Sequence, residues 1–175
     1  MKRLYAVMAL GLVMFFALGA GAKSLQLLNF NKGELPDDSS ACNASLSEEY
    51  AAKEGDCSLK LEFLSNGWCG MYMPKKGTWT GYKKIKFILV NPGDKTVKDV
   101  GFCMKGARAG GGPDNRKDYK FEIPAGKKEF SFTFDGDFCN DGKSPIDMSK
   151  VSIWNFDNYT DQPAAFFVLK VWVEE

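Results

Sequence analysis

Aromatic side chains next to short polar ones are the residues of this 175-residue chain best suited to bind a ligand. The stretch "KVSIWNFDNY" places Trp154 beside Asn155 and continues through Asp157, Asn158 and Tyr159. A flat ring offers apolar surface to the C–H face of a pyranose, and amide or carboxylate groups around it can bond the hydroxyls. The sequence therefore predicts ligand-binding residues in this stretch.

The alternation of the same stretch decides which way its ring points. Val151 and Ile153 share one phase of a strand, whereas Ser152, Trp154 and Phe156 share the other. If the aliphatic pair faces the core, Trp154 lies on the outer surface of its sheet. A sheet covered on both faces, or a β-bulge that shifts the phase, would bury the ring instead.

A second aromatic pair occurs in "KKGTWTGYKKIKFILVN", where Trp79 and Tyr82 precede an alternating strand. We include both among the predicted ligand-binding residues, although their position favours closure of one end of the hydrophobic core over a sugar platform. Trp68 and Tyr72, on either side of "CGM", are lesser candidates for a platform.

Polar contacts at the rim of the domain could come from a glycine-rich loop, "GARAGGGPDNRKD". This loop carries Arg108 and Arg116. It does not resemble a phosphate-binding loop, because no Lys-Ser/Thr pair follows it.

The absence of histidine excludes several kinds of catalysis. Neither a Ser-His-Asp nor a Cys-His arrangement is available, and zinc cannot be held by imidazole. A hydrolase would need two carboxylates across a groove, yet the acidic residues cluster in turns, where they cap or solvate loops. The sequence therefore predicts a non-catalytic protein.

The first 22 residues, "MKRLYAVMALGLVMFFALGAGA", have the features of a secretory signal peptide: two positive charges, a short apolar stretch and an Ala-Gly-Ala end. A retained membrane anchor is the alternative. We expect the signal peptide at 1–22, a single domain at 23–175, and a secreted protein, periplasmic or extracellular, that is not inserted in the membrane. The formal net charge of +1 gives no general electrostatic reason to bind nucleic acid.

Five cysteines follow the predicted signal peptide. Export makes disulfides expected, and the odd number leaves at least one thiol free or paired with another chain. The sequence does not choose the pairing, and it contains no C-x-x-C motif.

The sequence predicts that these residues are positioned by short β-strands, separated by turns rich in Gly, Pro, Asn and Asp. In "EFSFTF", for example, Phe130, Phe132 and Phe134 fall on one face and the polar residues on the other. About ten such strands without crossover helices predict an all-β fold, an antiparallel two-sheet β-sandwich of jelly-roll type.

The order of several short segments resembles the galactose-binding-like jelly rolls found as carbohydrate-binding modules of secreted bacterial proteins. The segments are "LLNF", "GDCSLKLEF", "WTGYKKIKFILVNPGD", "FEIPAGKKEFSFTF" and "DMSKVSIWNF", within 25–173. The resemblance implies the same sandwich and a glycan or polysaccharide as partner. Many such modules hold a structural calcium with an Asp-Asn pair on the last strand, but the last strand of this chain contains no Asp. No obligatory cofactor is expected, and Glu34 is the residue that could still contribute to a calcium site.

The sequence thus predicts a secreted, non-catalytic module that recognises a glycan or polysaccharide by aromatic stacking. The alternative is a structural or protein-interaction β-sandwich of the cell envelope, whose exposed aromatics would contact an envelope protein. A hydrolase acting through two carboxylates is a minor third interpretation.

Overall fold

The structure, a computed structural model, describes residues 22–28, 42–51, 56–72, 79–106, 112–151 and 153–175, with the backbone alone described at 70–72. The described residues form ten β-strands: β1 (Ser24–Gln26), β2 (Asn43–Ser47), β3 (Ser58–Phe63), β4 (Gly67–Tyr72), β5 (Lys84–Asn91), β6 (Val97–Lys105), β7 (Arg116–Ile123), β8 (Gly126–Thr133), β9 (Ile153–Asn158) and β10 (Ala164–Glu174). No helix in this part of the chain is long and apolar enough to cross a membrane.

The strands form two antiparallel sheets that enclose one core. Six strands make the larger sheet, in the order β2-β3-β10-β5-β8, with β1 pairing with β10. Four strands make the smaller sheet, in the order β4-β9-β6-β7. The predicted all-β sandwich with antiparallel sheets is confirmed.

Period-two alternation accounts for the core. In β5, Ile85, Phe87 and Leu89 are fully buried between the sheets, while the residues that alternate with them, Lys84, Lys86 and Ile88, face outward. The ring of Phe87 has its centroid 5.2–5.8 Å from those of five other phenylalanines drawn from both sheets: Phe102, Phe121, Phe130, Phe132 and Phe156. This aromatic cluster fixes the four-stranded sheet against the six-stranded one.

One disulfide joins the two sheets at their edges. Cys42, just before β2, is bonded to Cys69 in β4, with 5.6 Å between their Cα atoms. Cys57, Cys103 and Cys139 are free thiols. The expectation of a disulfide is confirmed. The sequence left the pairing open, and the structure pairs Cys42 with Cys69.

Candidate functional site

The outer face of the four-stranded sheet carries polar side chains around one exposed ring. Residues directly opposite each other on antiparallel strands point to the same face. The registers therefore align Trp68 of β4 with Asp157 of β9, and Asp157 with Gly101 of β6. We call the following set the outer-face cluster: Trp68, Gly101, Cys103, Lys105, Arg116, Asp118, Lys120, Asn155, Asp157 and Tyr159.

Two aromatic rings border this cluster. Trp68 is 36% exposed, which makes it one of the few large apolar side chains open to solvent among the described residues. Tyr159 follows β9 and folds back over Gly101. A Cβ at Gly101 would overlap Cε2 of Tyr159 and lie 2.9 Å from its Oη, so only glycine permits this close approach. A depression of about 230 Å³ lies between the two rings.

The floor of the depression is the buried carboxylate of Asp157. Tyr159 Oη donates to Oδ2 at 2.9 Å, and Asn155 Nδ2 donates to Oδ1 at 2.6 Å. Arg116 Nη2 lies 3.5 Å from Oδ2. Burial raises the pKa of Asp157 to about 6, against the opposing effects of the Tyr159 hydrogen bond and the Arg116 charge.

A second carboxylate, Asp118, forms the side of the site nearest β7. Arg116 Nε donates to its two oxygens at 2.6 and 2.9 Å, and Asn140 Nδ2 donates to Oδ2 at 2.9 Å. Burial alone would raise the pKa of Asp118, but these hydrogen bonds and the Arg116 charge outweigh it and lower the pKa below its usual range. Arg116 thus holds Asp118 and Asp157 together.

Cys103 adds a possible metal ligand to the two carboxylates. Its Sγ and a carboxylate oxygen from each of Asp118 and Asp157 lie within 4.8 Å of one another, a spacing that could hold a metal ion. The carboxylates already accept hydrogen bonds from Arg116, Tyr159 and neighbouring amides, and burial raises the pKa of the thiol. The positive charge beside the two carboxylates is thus supplied by the guanidinium of Arg116, where a metal ion would otherwise supply it.

The prediction that Trp154 faces outward is wrong. The residue is 1% exposed, and its ring centroid lies 5.7 Å from that of Phe102 in the core. The error lies in the assumed phase. Strand β9 begins only at Ile153, so Val151 reaches the core from the preceding loop and does not set the alternation of the strand. Within β9, Ile153 takes the outward phase.

The remaining residues of that stretch divide between the two faces. Asn155, Asp157 and Tyr159 belong to the outer-face cluster described above. Asn158 is buried, and its Nδ2 donates to Ser65 O at 3.0 Å and Gln162 O at 2.9 Å. Its amide therefore braces the turns at this end of the sandwich.

Trp79 and Tyr82 lie away from the outer-face cluster. Trp79 has no exposed surface, and its ring centroid lies 5.9 Å from that of Phe134. The interpretation of Trp79 as a closure of the core is confirmed, and a ring without exposed surface cannot stack on a sugar. Tyr82 is partly buried against the core, with Lys23 Nζ 5.4 Å from its ring centroid.

Sequence reasoning placed Trp68 and Arg116 among lesser candidates and missed the other residues of β6 and β7 on this face. A usable signal was present in "VKDVGFCMK". There Gly101, Cys103 and Lys105 alternate with Val100, Phe102 and Met104, so the two sets lie on opposite faces of the strand, and the registers place the first set on the outer face.

Several predicted features lie outside the described residues. They are the signal peptide up to residue 21, the calcium ligand Glu34, the loop residue Arg108 and the side chain of Tyr72.

The two antiparallel sheets define a β-sandwich of jelly-roll type, a fold that is also seen in carbohydrate-binding modules. No protein-family model and no curated protein sequence matches the chain. Solved structures do match over most of its length, and they confirm the resemblance to galactose-binding-like jelly rolls at the level of fold.

Three of these structures illustrate the likeness. A family 11 carbohydrate-binding module from Clostridium thermocellum, in complex with a β-1,3-1,4-mixed-linked tetrasaccharide, is 13% identical with a TM-score of 0.58, covering 90% of this chain and 91% of that one. The family 27 module CBM27-1 from Caldicellulosiruptor saccharolyticus, in complex with mannohexaose, is 16% identical with a TM-score of 0.52, covering 86% and 96%. An exo-β-agarase is 13% identical with a TM-score of 0.64, covering 85% of this chain and 24% of that one.

Proposed function

We propose that the chain is a secreted, non-catalytic carbohydrate-binding module that recognises a glycan or polysaccharide on the outer face of its four-stranded sheet. The observation that carries this proposal is the exposed ring of Trp68, which faces Tyr159 across a depression floored by Asp157. An aromatic surface beside fixed polar groups is the combination that a sugar ring requires.

The parts of the site have separate tasks in this proposal. Trp68 supplies the surface for stacking on the C–H face of a sugar. Lys105 and Arg116 supply hydrogen-bond donors for hydroxyl groups, and the Oη of Tyr159, whose hydrogen is donated to Asp157, supplies an acceptor. Two of these groups are held by contacts within the protein, since Arg116 is bonded to Asp118 and Tyr159 to Asp157. A site ordered before binding loses less conformational entropy when the ligand arrives.

The solved structures support the proposal through their ligands. Two modules that share this fold over more than four fifths of the chain were determined in complex with oligosaccharides. The predicted signal peptide at 1–22 supports secretion, since an exported module would meet polysaccharides outside the cytoplasm.

The carboxylates of the site support the non-catalytic part of the proposal. Asp118 and Asp157 lie side by side, and Arg116 contacts both. A glycosidase needs one free carboxylate as nucleophile or base and a second as proton donor, placed on either side of the scissile bond. Here both groups are engaged by Arg116, so they serve to position it.

A protein-interaction role in the cell envelope is the second candidate, and one observation favours it. Leu64, in the turn before β4, is 75% exposed and lies close in sequence to Trp68. Together these side chains offer apolar surface that a protein partner could bury. Binding to a glycan array separates the two functions.

The test is an array of plant, algal and bacterial polysaccharides probed with the wild-type protein, a Trp68→Ala variant and a Tyr50→Ala variant. Tyr50 is the matched control, because it is 43% exposed and packs on Phe167 at the outer surface of the other sheet. We expect binding to one glycan class that is lost in Trp68→Ala and kept in Tyr50→Ala, with circular dichroism confirming that both variants fold. An absence of binding by the wild-type protein would overturn the proposal and favour an envelope partner.

A further inference from the structure

The charges of the outer-face cluster are unequally available to a ligand. The cluster contains three cationic side chains, Lys105, Arg116 and Lys120, and two carboxylates, Asp118 and Asp157. Which of these charges a ligand would meet depends on how far each one is already neutralised within the protein.

Both carboxylates are used internally. Asp157 is 4% exposed and accepts hydrogen bonds from Tyr159 and Asn155. Asp118 accepts hydrogen bonds from Arg116 and Asn140. Their oxygens are therefore engaged by groups of the protein, and the positive charge of Arg116 offsets their negative charge.

The two lysines make no such short contact, although the charge of Lys105 acts on Asp157 from further away. Within the described part of the chain, neither Lys105 nor Lys120 has a carboxylate oxygen within 4.0 Å. Each ammonium instead lies over a ring of the site: Lys105 Nζ is 5.6 Å from the centroid of Trp68, and Lys120 Nζ is 4.5 Å from that of Tyr159. The charges that accompany the two rings of the site are thus positive.

Lys105 and Arg116 also stand between two depressions. They line the depression beside Trp68 and also a larger groove of about 460 Å³ on their other side. Two other lysines of the larger groove are paired with carboxylates, Lys117 with Asp137 and Lys150 with Asp147. A glycan chain that continued from one depression into the other would pass the unpaired ammonium of Lys105.

From this arrangement we infer that the ligand of the outer-face cluster is an anionic glycan, one that bears carboxylate or sulfate groups. The inference rests on the proposed function. Because the whole chain carries a formal net charge of only +1, its overall charge would not attract a polyanion, and the preference has to come from these two lysines. An anionic group on a glycan bound at this site would meet the ammonium groups that lie at the two rings.

The experiment compares matched pairs of polysaccharides by isothermal titration calorimetry. One pair is polygalacturonate and its carboxyl-reduced form; the other is dextran sulfate and dextran. We expect the charged member of at least one pair to bind and its neutral partner to bind at least about tenfold more weakly. The pair that shows the difference identifies carboxylate or sulfate as the recognised group. Raising NaCl from about 0.05 to about 0.5 M should weaken binding, because exposed charges are screened.

Variants locate the effect. Lys105→Met and Lys120→Met keep the apolar stem over each ring and remove the charge, and each should weaken binding of the charged glycan by about fivefold. Lys127→Met is the matched control, since Lys127 is an exposed lysine on β8 of the other sheet.

Three results would overturn the inference. Equal affinity for the charged and neutral members of both pairs would remove the anionic preference and leave the proposed function standing. An equal loss in Lys127→Met would show non-specific attraction. If no polysaccharide bound the protein, either on the array or in these titrations, the proposed function itself would be overturned.

Discussion

Replacing Asp157 by asparagine is expected to change how the stability of the protein depends on pH. Burial raises the pKa of this carboxyl from 3.8 to about 6 in the folded protein. Between these two values this carboxyl binds more protons in the folded state than in the unfolded state, so the contribution of Asp157 to stability falls as the pH rises from about 4 to about 6. One pH unit corresponds to about 1.4 kcal/mol, so ionised Asp157 costs the folded state about 3 kcal/mol at pH 7.

The variant lacks this ionisation. Relative to wild type, the free energy of unfolding of Asp157→Asn should therefore rise by about 2.5 kcal/mol between pH 4 and pH 7. Any hydrogen bond lost from Tyr159 or Arg116 adds an offset that varies little with pH. Urea denaturation followed by tryptophan fluorescence at several pH values measures the difference.

Asp118→Asn is the control of opposite sign. The pKa of Asp118 is lowered by Arg116, so its ionisation stabilises the folded state above pH 4 and that contribution is lost only as the pH falls further. The Asp118→Asn difference should be nearly constant from pH 5 to pH 7. A constant difference for Asp157→Asn over pH 4–7, or one that moves in favour of the wild type, would refute the reasoning.

Three further changes test other parts of the structure. Gly101→Ala should displace the ring of Tyr159 and weaken glycan binding at least about tenfold, with little change in melting temperature, because the ring can swing away; unchanged affinity would remove Tyr159 from the site. Cys42→Ser opens a disulfide spanning 27 residues and should lower the free energy of unfolding by about 3–4 kcal/mol, checked against reduction of the wild type; equal stability would show that this bond does not constrain the unfolded chain. Phe87→Ala removes the centre of the aromatic cluster and should cost about 3–5 kcal/mol in denaturant titration; a cost below about 1 kcal/mol would contradict its central position.

Local alternation was sufficient to predict the fold. The core phase of β5 and of the strand carrying Phe130 and Phe132 can be read directly from the sequence, because each strand has one buried and one exposed face. Strand number and the absence of crossover helices then exclude parallel architectures.

The site was harder to predict, for two physical reasons. Which residues of β9 face outward depends on where the strand begins. Because the sequence analysis included Val151 in the strand, it predicted an outward Trp154, whereas the ring points to the core. The alignment of Trp68 with Asp157 depends on the pairing of β4 with β9, which are far apart in the sequence. Alternation within one strand carries no information about its register with another.

The most direct test of the account is the affinity of the Trp68→Ala variant for the glycan that the wild-type protein binds. With 36% of Trp68 exposed, a stacked sugar would cover about 90 Å² of its surface, which corresponds to about 2 kcal/mol or about 30-fold in Kd. The account predicts this loss by calorimetry in a variant that remains folded. An unchanged Kd would contradict it, because the exposed ring on the outer face of the four-stranded sheet would then have no part in binding.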